Sequence, residues 1–246
     1  MTILCFILAS SVAWFISSLA GGGSPLILIP VVSLLVGTAS IPPIITTGML
    51  FGNAQRVGIY WKNIDWYVTS WNLPGAIAGG VLGAFVLSRT RIEWLSVLLA
   101  FFLIASVISF LFRKETGGFS VKAWYFLPIG FLYAFFSGLI GSTGPVLNPF
   151  YLNYGLVKEE MIGTKSLNVL VVHIAKMIAY GLFGVLNMTD LGYGLVIGLA
   201  ALPGNWLGQI VLQHMSDQQF RQVVMTFVAF SGAFMLWQQR QFLVFW

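Results

Sequence analysis

Two short stretches of this chain could do polar chemistry with little more than backbone. Gly21-Gly22-Gly23-Ser24-Pro25 and Gly141-Ser142-Thr143-Gly144-Pro145 each interrupt long apolar sequence. Three successive glycines disfavour helix by roughly 1 kcal/mol each relative to alanine. Ser24 has the side chain of an N-cap, and proline suits the first turn of a helix, where its missing N–H is not needed. The residues therefore spell a helix end, a bare stretch and a new helix start. The free N–H groups of a helix start carry about half a positive charge, and two such starts make an anion site without any charged side chain. Ser24, Ser142 and Thr143 add hydroxyl donors, and Asn148 follows just beyond the second break. The alternative is that the glycines only let helices pack closely. It explains one break more readily than two at matching positions, each followed by proline.

The ionisable residues point the same way. All seven carboxylates (Asp65, Glu93, Glu115, Glu159, Glu160, Asp190, Asp217) fall at the ends of apolar segments or in loops. A cation or proton pathway usually needs one in mid-span. Basic groups do enter the apolar segments: Arg56, Lys165, His173 and Lys176. Lys165, Asn168, Val172 and Lys176 share one helix face by their spacing, a polar stripe that could face a cavity. The competing reading for Arg56, Lys165 and Lys176 is that they snorkel to the membrane interface, and for His173 that it is a buried, hydrogen-bonded packing residue. The single Cys5 excludes an internal disulfide and a cysteine metal cluster, and no cofactor or metal is expected.

These residues need a membrane to hold them. Of 246 residues, 58% are hydrophobic and 8% charged, against about 25% charged in soluble domains; mean hydropathy is +0.90. Such a chain cannot cover a globular surface in water, and its continuous apolar runs exclude a β-barrel. The reading is an all-α integral membrane protein with no signal peptide, since Met1 to Ala20 holds no Lys or Arg. The net charge of +5 is read as topology, not nucleic-acid binding. Spans are expected at Ile3–Leu19, Ile44–Tyr60, Val68–Leu87 and Trp94–Phe112. Pro25–Val36, roughly 18 Å as a helix, is too short for a core of about 30 Å. Arg56, Lys62, Arg113, Lys114 and Lys122 outnumber Arg89 and Arg91 on the opposite side, which places the first set in the cytoplasm and the protein, multi-pass, in the inner (plasma) membrane.

The second half repeats the first. At an offset of 120, Phe15, Ser17, Leu19, Gly21 and Pro25 match Phe135, Ser137, Leu139, Gly141 and Pro145. Asn53, Arg56 and Tyr60 match His173, Lys176 and Tyr180 at the same offset, and at 125, Asp65, Gly79 and Gly83 match Asp190, Gly204 and Gly208. The organisation expected is one transmembrane transport domain over 1–246. Repeat one covers 1–112, a loop 113–122, and repeat two 123–246. Each repeat has about four to five helical segments and one short broken or re-entrant helix. Short segments at matching positions favour inverted repeats. The stripe Gly75, Gly79, Gly83 permits a tight helix contact within a protomer or in a homodimer.

Four motifs carry a family resemblance: the glycine break with its proline and short helix; Met161-Ile162-Gly163-Thr164-Lys165-Ser166-Leu167; Tyr60-Trp61-Lys62-Asn63-Ile64-Asp65-Trp66; and the Gly-x3-Gly-x3-Gly span. Together they resemble the TauE/SafE sulfite exporter family over nearly the whole chain. Thr47-Gly48 departs from the Gly-Thr order, and Gly-Ser-Thr-Gly departs from an all-glycine break. The resemblance implies export of sulfite, thiosulfate or a small organosulfonate. The expected site is Gly21, Gly22, Gly23, Ser24, Gly141, Ser142, Thr143, Gly144, Asn148, Lys165, Asn168, Lys176, Arg56 and His173, and the expected partners are a small anion and the bilayer. Two other readings stay open: a carrier or channel for another anion such as a carboxylate, and an intramembrane serine hydrolase built on Ser142 and His173.

Overall fold

A computed structural model describes residues 1–89 and 120–238. The expected span Trp94–Phe112 and the charges Arg91, Glu93, Arg113, Lys114 and Glu115 lie outside the described residues. Ten α-helices occur among those described, and no β-strand. They are α1 (Thr2–Leu19), α2 (Ser24–Leu35), α3 (Ile41–Tyr60), α4 (Trp66–Arg89), α5 (Phe126–Ile140), α6 (Asn148–Tyr154), α7 (Lys158–Leu182), α8 (Met188–Leu199), α9 (Ala201–His214) and α10 (Asp217–Gln238). Among the described residues, four stretches are long and apolar enough to cross a membrane: α1, α4, α7, and α8 with α9 together. The protein is a multi-pass helical membrane protein.

Sequence sets most of the boundaries. The apolar run of α1 ends where Gly21, Gly22 and Gly23 take φ of +65°, +123° and +109°, values that side-chain-bearing residues rarely adopt. Helix α2 then starts with Gly23 as its N-cap. The cap expected of Ser24 is not made: its hydroxyl donates to Met49 Sδ at 3.4 Å. Asp65 caps α4 by accepting from Val68 N at 2.9 Å, and Asn187 caps α8 by accepting from Asp190 N at 2.8 Å. The second break is built differently from the first. Gly141 has φ +92°, but Gly144–Leu147 forms a 3-10 turn before the seven-residue α6, so the second short helix is less regular than the matching sequence predicts.

Helices α3 and α7 form the centre and run antiparallel. Tyr60, at the end of α3, lies against Gly163 near the start of α7, and Thr47 Oγ1 contacts Met177 Sδ near its end. The glycine stripes pack around this pair across the halves. A Cβ on Gly75, Gly79 or Gly83 of α4 would meet the carbonyls of Leu127, Phe131 or Phe135 on α5. Likewise Gly204 and Gly208 of α9 sit on Ser11 and Ser18 of α1, while Gly194 and Gly198 of α8 sit on Thr47 and Phe51 of α3. The α4 stripe is therefore taken up inside the protomer. Large apolar side chains such as Leu8, Trp206 and Phe230 point outward, as a lipid-facing surface requires. Trp61 and Trp66 stack edge to face with their centroids 5.2 Å apart and are both exposed, the pattern of an interfacial belt.

Candidate functional site

The first break is closed by side chains from distant parts of the chain. Lys165 Nζ donates to Gly21 O at 2.8 Å and to Asn148 Oδ1 at 2.6 Å. Asn148 Nδ2 donates to Ala20 O at 3.1 Å. These carbonyls belong to the C-terminal end of α1, where the helix dipole leaves about half a negative charge that an ammonium group offsets. The sequence suggests only the donating half of the break, the N–H groups of the new helix. The accepting half is equally present, and it orders the lysine.

Arg56 lies beside it. Its Nε donates to Asn205 Oδ1 at 2.8 Å, and Nη2 donates to Trp14 O at 3.1 Å and Ser18 Oγ at 2.8 Å. The guanidinium carbon stands 4.6 Å from the centroid of the Trp14 ring, a cation–π distance. Nη1 has no hydrogen-bond partner among the described residues, and neither does Arg56 have a carboxylate partner there. Only 4% of the residue is exposed, against 6% for Lys165 and none for Lys176. Snorkelling is thus overturned for all three. Arg56 also drops out of the count of loop charges, of which Lys62 and Lys122 remain as exposed residues among those described.

A cavity of about 20 Å³, room for a single water, opens at the first break; Gly21, Gly22, Gly23, Arg56, Lys165 and Ser142 are among the residues lining it. Among the described residues, no acidic residue lines it. Ser17, Asn53 and Tyr133 also contribute, and sequence reasoning did not place them in the site. Ser17 served there only as a repeat marker, although a serine in an apolar span is itself a cue. Two hydroxyls at the cavity, Ser17 Oγ and Ser142 Oγ, are buried with no hydrogen-bond partner among the described residues.

The remaining expected residues sit elsewhere. Lys176 turns to the second break, donating to Ser137 O at 2.9 Å and Gly141 O at 2.6 Å. Asn168 donates to the Tyr151 hydroxyl at 3.0 Å. The polar stripe of α7 therefore divides between the two breaks and does not face one cavity. Ser24, Thr143 and Gly144 are not among the cavity's lining residues. His173 is fully buried, as expected of a packing residue, but both of its ring nitrogens lack a partner, so it is not hydrogen-bonded. Ser142 Oγ has no partner either, and the nucleophile–base hydrogen bond of a serine hydrolase is not formed. The Gly-Thr motif serves the helix frame. Thr164 Oγ1 accepts from Asp65 N at 2.8 Å, and Gly163 leaves room for Tyr60 O. No group of metal-ligating residues occurs among the described residues.

Comparison with protein families gives a match to the family described as Sulfite exporter TauE/SafE over residues 6–235. Comparison with curated proteins and with solved structures gives no match.

Proposed function

The chain belongs to the TauE/SafE sulfite exporter family of membrane transporters, and from that membership we propose that it exports a small sulfur oxyanion (sulfite, thiosulfate or a sulfonate) through the cavity at the first glycine break. The observation that carries this reading is the convergence of Arg56, Lys165 and two hydroxyls without a described partner on one cavity, with no acidic residue among its described lining residues. A buried guanidinium bonded only to neutral acceptors keeps its full charge for an incoming anion. Unpartnered buried hydroxyls cost about 1–3 kcal/mol each, which a bound oxyanion would recover by accepting from them.

The cavity holds about one water, so an anion of four or more heavy atoms enters only as the walls move. Gly21–Gly23, without side chains, are the natural wall to yield. Direction follows from electrostatics. A potential of about 100 mV, negative inside, favours outward movement of each negative charge by about 2.3 kcal/mol, so export needs no coupling cation. The antiparallel packing of α3 on α7, whose Tyr60 and Tyr180 match at the 120-residue offset, supports reading the halves as repeats of one transport domain in inverted orientation. Lys62 and Lys122 favour a plasma-membrane placement with their loops in the cytoplasm.

The test is efflux of sulfite, thiosulfate and taurine from proteoliposomes under an imposed potential. Saturable, voltage-accelerated efflux that is weakened, with a raised KM, in Arg56→Gln is expected. Efflux indifferent to both voltage and Arg56→Gln would overturn the reading.

A further inference from the structure

Arg56 is useful to an anion only if its guanidinium is held with one edge toward the cavity, and the holding group comes from the far end of the chain. Asn205 sits on α9 and is 1% exposed. Its Oδ1 accepts from Arg56 Nε at 2.8 Å, and Ser18 Oγ stands 3.5 Å from the same oxygen. Its Nδ2 donates to Gly52 O and to Gln55 Oε1, both at 3.1 Å. Since both neighbours of Nδ2 are oxygens, the amide can face only one way, with its oxygen on Arg56. The helix carrying it is pressed against α1 at Gly204 and Gly208, where a Cβ would strike Ser11, Phe15 or Ser18. The amide is therefore fixed in both rotation and depth.

We propose that Asn205 is the positioning residue of the anion site: it anchors the Nε edge of Arg56, Trp14 O and Ser18 Oγ anchor Nη2, and Nη1 is left directed at the cavity. The residue type matters as much as the place. An amide oxygen holds the guanidinium without neutralising it, whereas a carboxylate of the same shape would form a buried ion pair and compete with the substrate for the charge. Leu202-Pro203-Gly204-Asn205-Trp206-Leu207 holds no other amide, hydroxyl or charged side chain, and a lone amide in such a run is costly unless used. This inference rests on the cavity being the transport site.

Sulfite efflux from proteoliposomes, measured as KM and maximal rate, tests it with Asn205→Asp, Asn205→Ser, Arg56→Gln and the Arg56→Gln/Asn205→Asp double variant. Asn205→Asp should raise KM about tenfold, the equivalent of about 1.4 kcal/mol, with a smaller rise for Asn205→Ser and little change in maximal rate. In the Arg56→Gln background the aspartate should add nothing, because its effect acts through the arginine. A merely structural asparagine would lower the maximal rate or the yield and leave KM alone, and its effect would multiply with that of Arg56→Gln; either result overturns the proposal. Should Asn205→Asp not fold, Asn205→Ser alone decides it by the same KM criterion. If Arg56→Gln itself keeps the normal KM, the cavity is not the site and both readings fall. If Arg56→Gln is impaired while Asn205→Asp and Asn205→Ser are not, only the positioning role falls.

Discussion

The two glycine breaks share a plan but not their charges. After α1, Lys165 closes the break on Gly21 O and Arg56 braces the end of the helix through Trp14 O and Ser18 Oγ. After α5, Lys176 does the bracing on Ser137 O and Gly141 O. At the 120-residue offset Lys176 stands where Arg56 does, and each braces the end of the helix before its break, Arg56 on Trp14 and Ser18 and Lys176 on Ser137 and Gly141. The position matching Lys165 is Ile45, and its side chain packs 3.7 Å from where a Cβ on Gly141 would be. Gly22, with φ +123°, is matched by Ser142, so the first break is bare where the second carries a hydroxyl that reaches across to line the cavity. The lesson is that two breaks of matching sequence can place their cations differently. At the first break Lys165 bonds Gly21 O and still lines the cavity beside Arg56, while at the second Lys176 bonds Ser137 O and Gly141 O and Ile45 packs beside Gly141.

Giving the first break the residue of the second is the strongest way to break this comparison. Lys165→Ile should abolish saturable sulfite efflux, with a loss on the order of 100-fold from a charged hydrogen-bonding group; wild-type flux would erase the distinction. The reverse case is Lys176→Met. It should lower the melting temperature in detergent by several degrees, a cost of roughly 2–3 kcal/mol from the buried carbonyls of Ser137 and Gly141 left without a donor, while the KM of the surviving protein stays near normal. Gly22→Ser imports the second break's side chain into the first. The new Cβ would collide with Lys165 Nζ at a strained φ, and about a tenfold rise in KM is expected. The smallest and sharpest contrast pairs two serines: Ser17→Ala, which removes a cavity hydroxyl, should raise KM a few-fold, and Ser137→Ala at the matching position should be silent in transport kinetics.

Much of the frame was legible in the residues. The helical membrane class, the two breaks and the Gly75–Gly83 stripe follow from composition, glycine runs and spacing, because these act locally. The bracing of the breaks was not legible, because a lysine in a span carries no mark of which carbonyl it will reach. Lys165 and Lys176 share one face of α7 by spacing, yet serve different breaks, since that face passes both on its way through the centre. Ser24 looks like a cap and is not one, since Gly23 already sits in the left-handed conformation before the helix. Asn205 escaped because its role depends on α9 of one half lying against α1 of the other. A polar residue alone in a Pro-Gly-Asn-Trp run is a signal that could have singled it out.

The crossed packing of the glycine stripes also bears on how the protein is made. The stripe of α4 meets α5, a helix that begins at Phe126, and α1 waits for α9, which begins at Ala201. During synthesis the first half enters the bilayer with bare glycine surfaces turned to lipid and with Arg56 lacking Asn205. Neither half is a finished unit for the quality-control machinery of the membrane until α9 has left the ribosome and can pack on α1. Two fragments divided between α4 and α5 should accordingly be degraded when expressed singly and persist when expressed together.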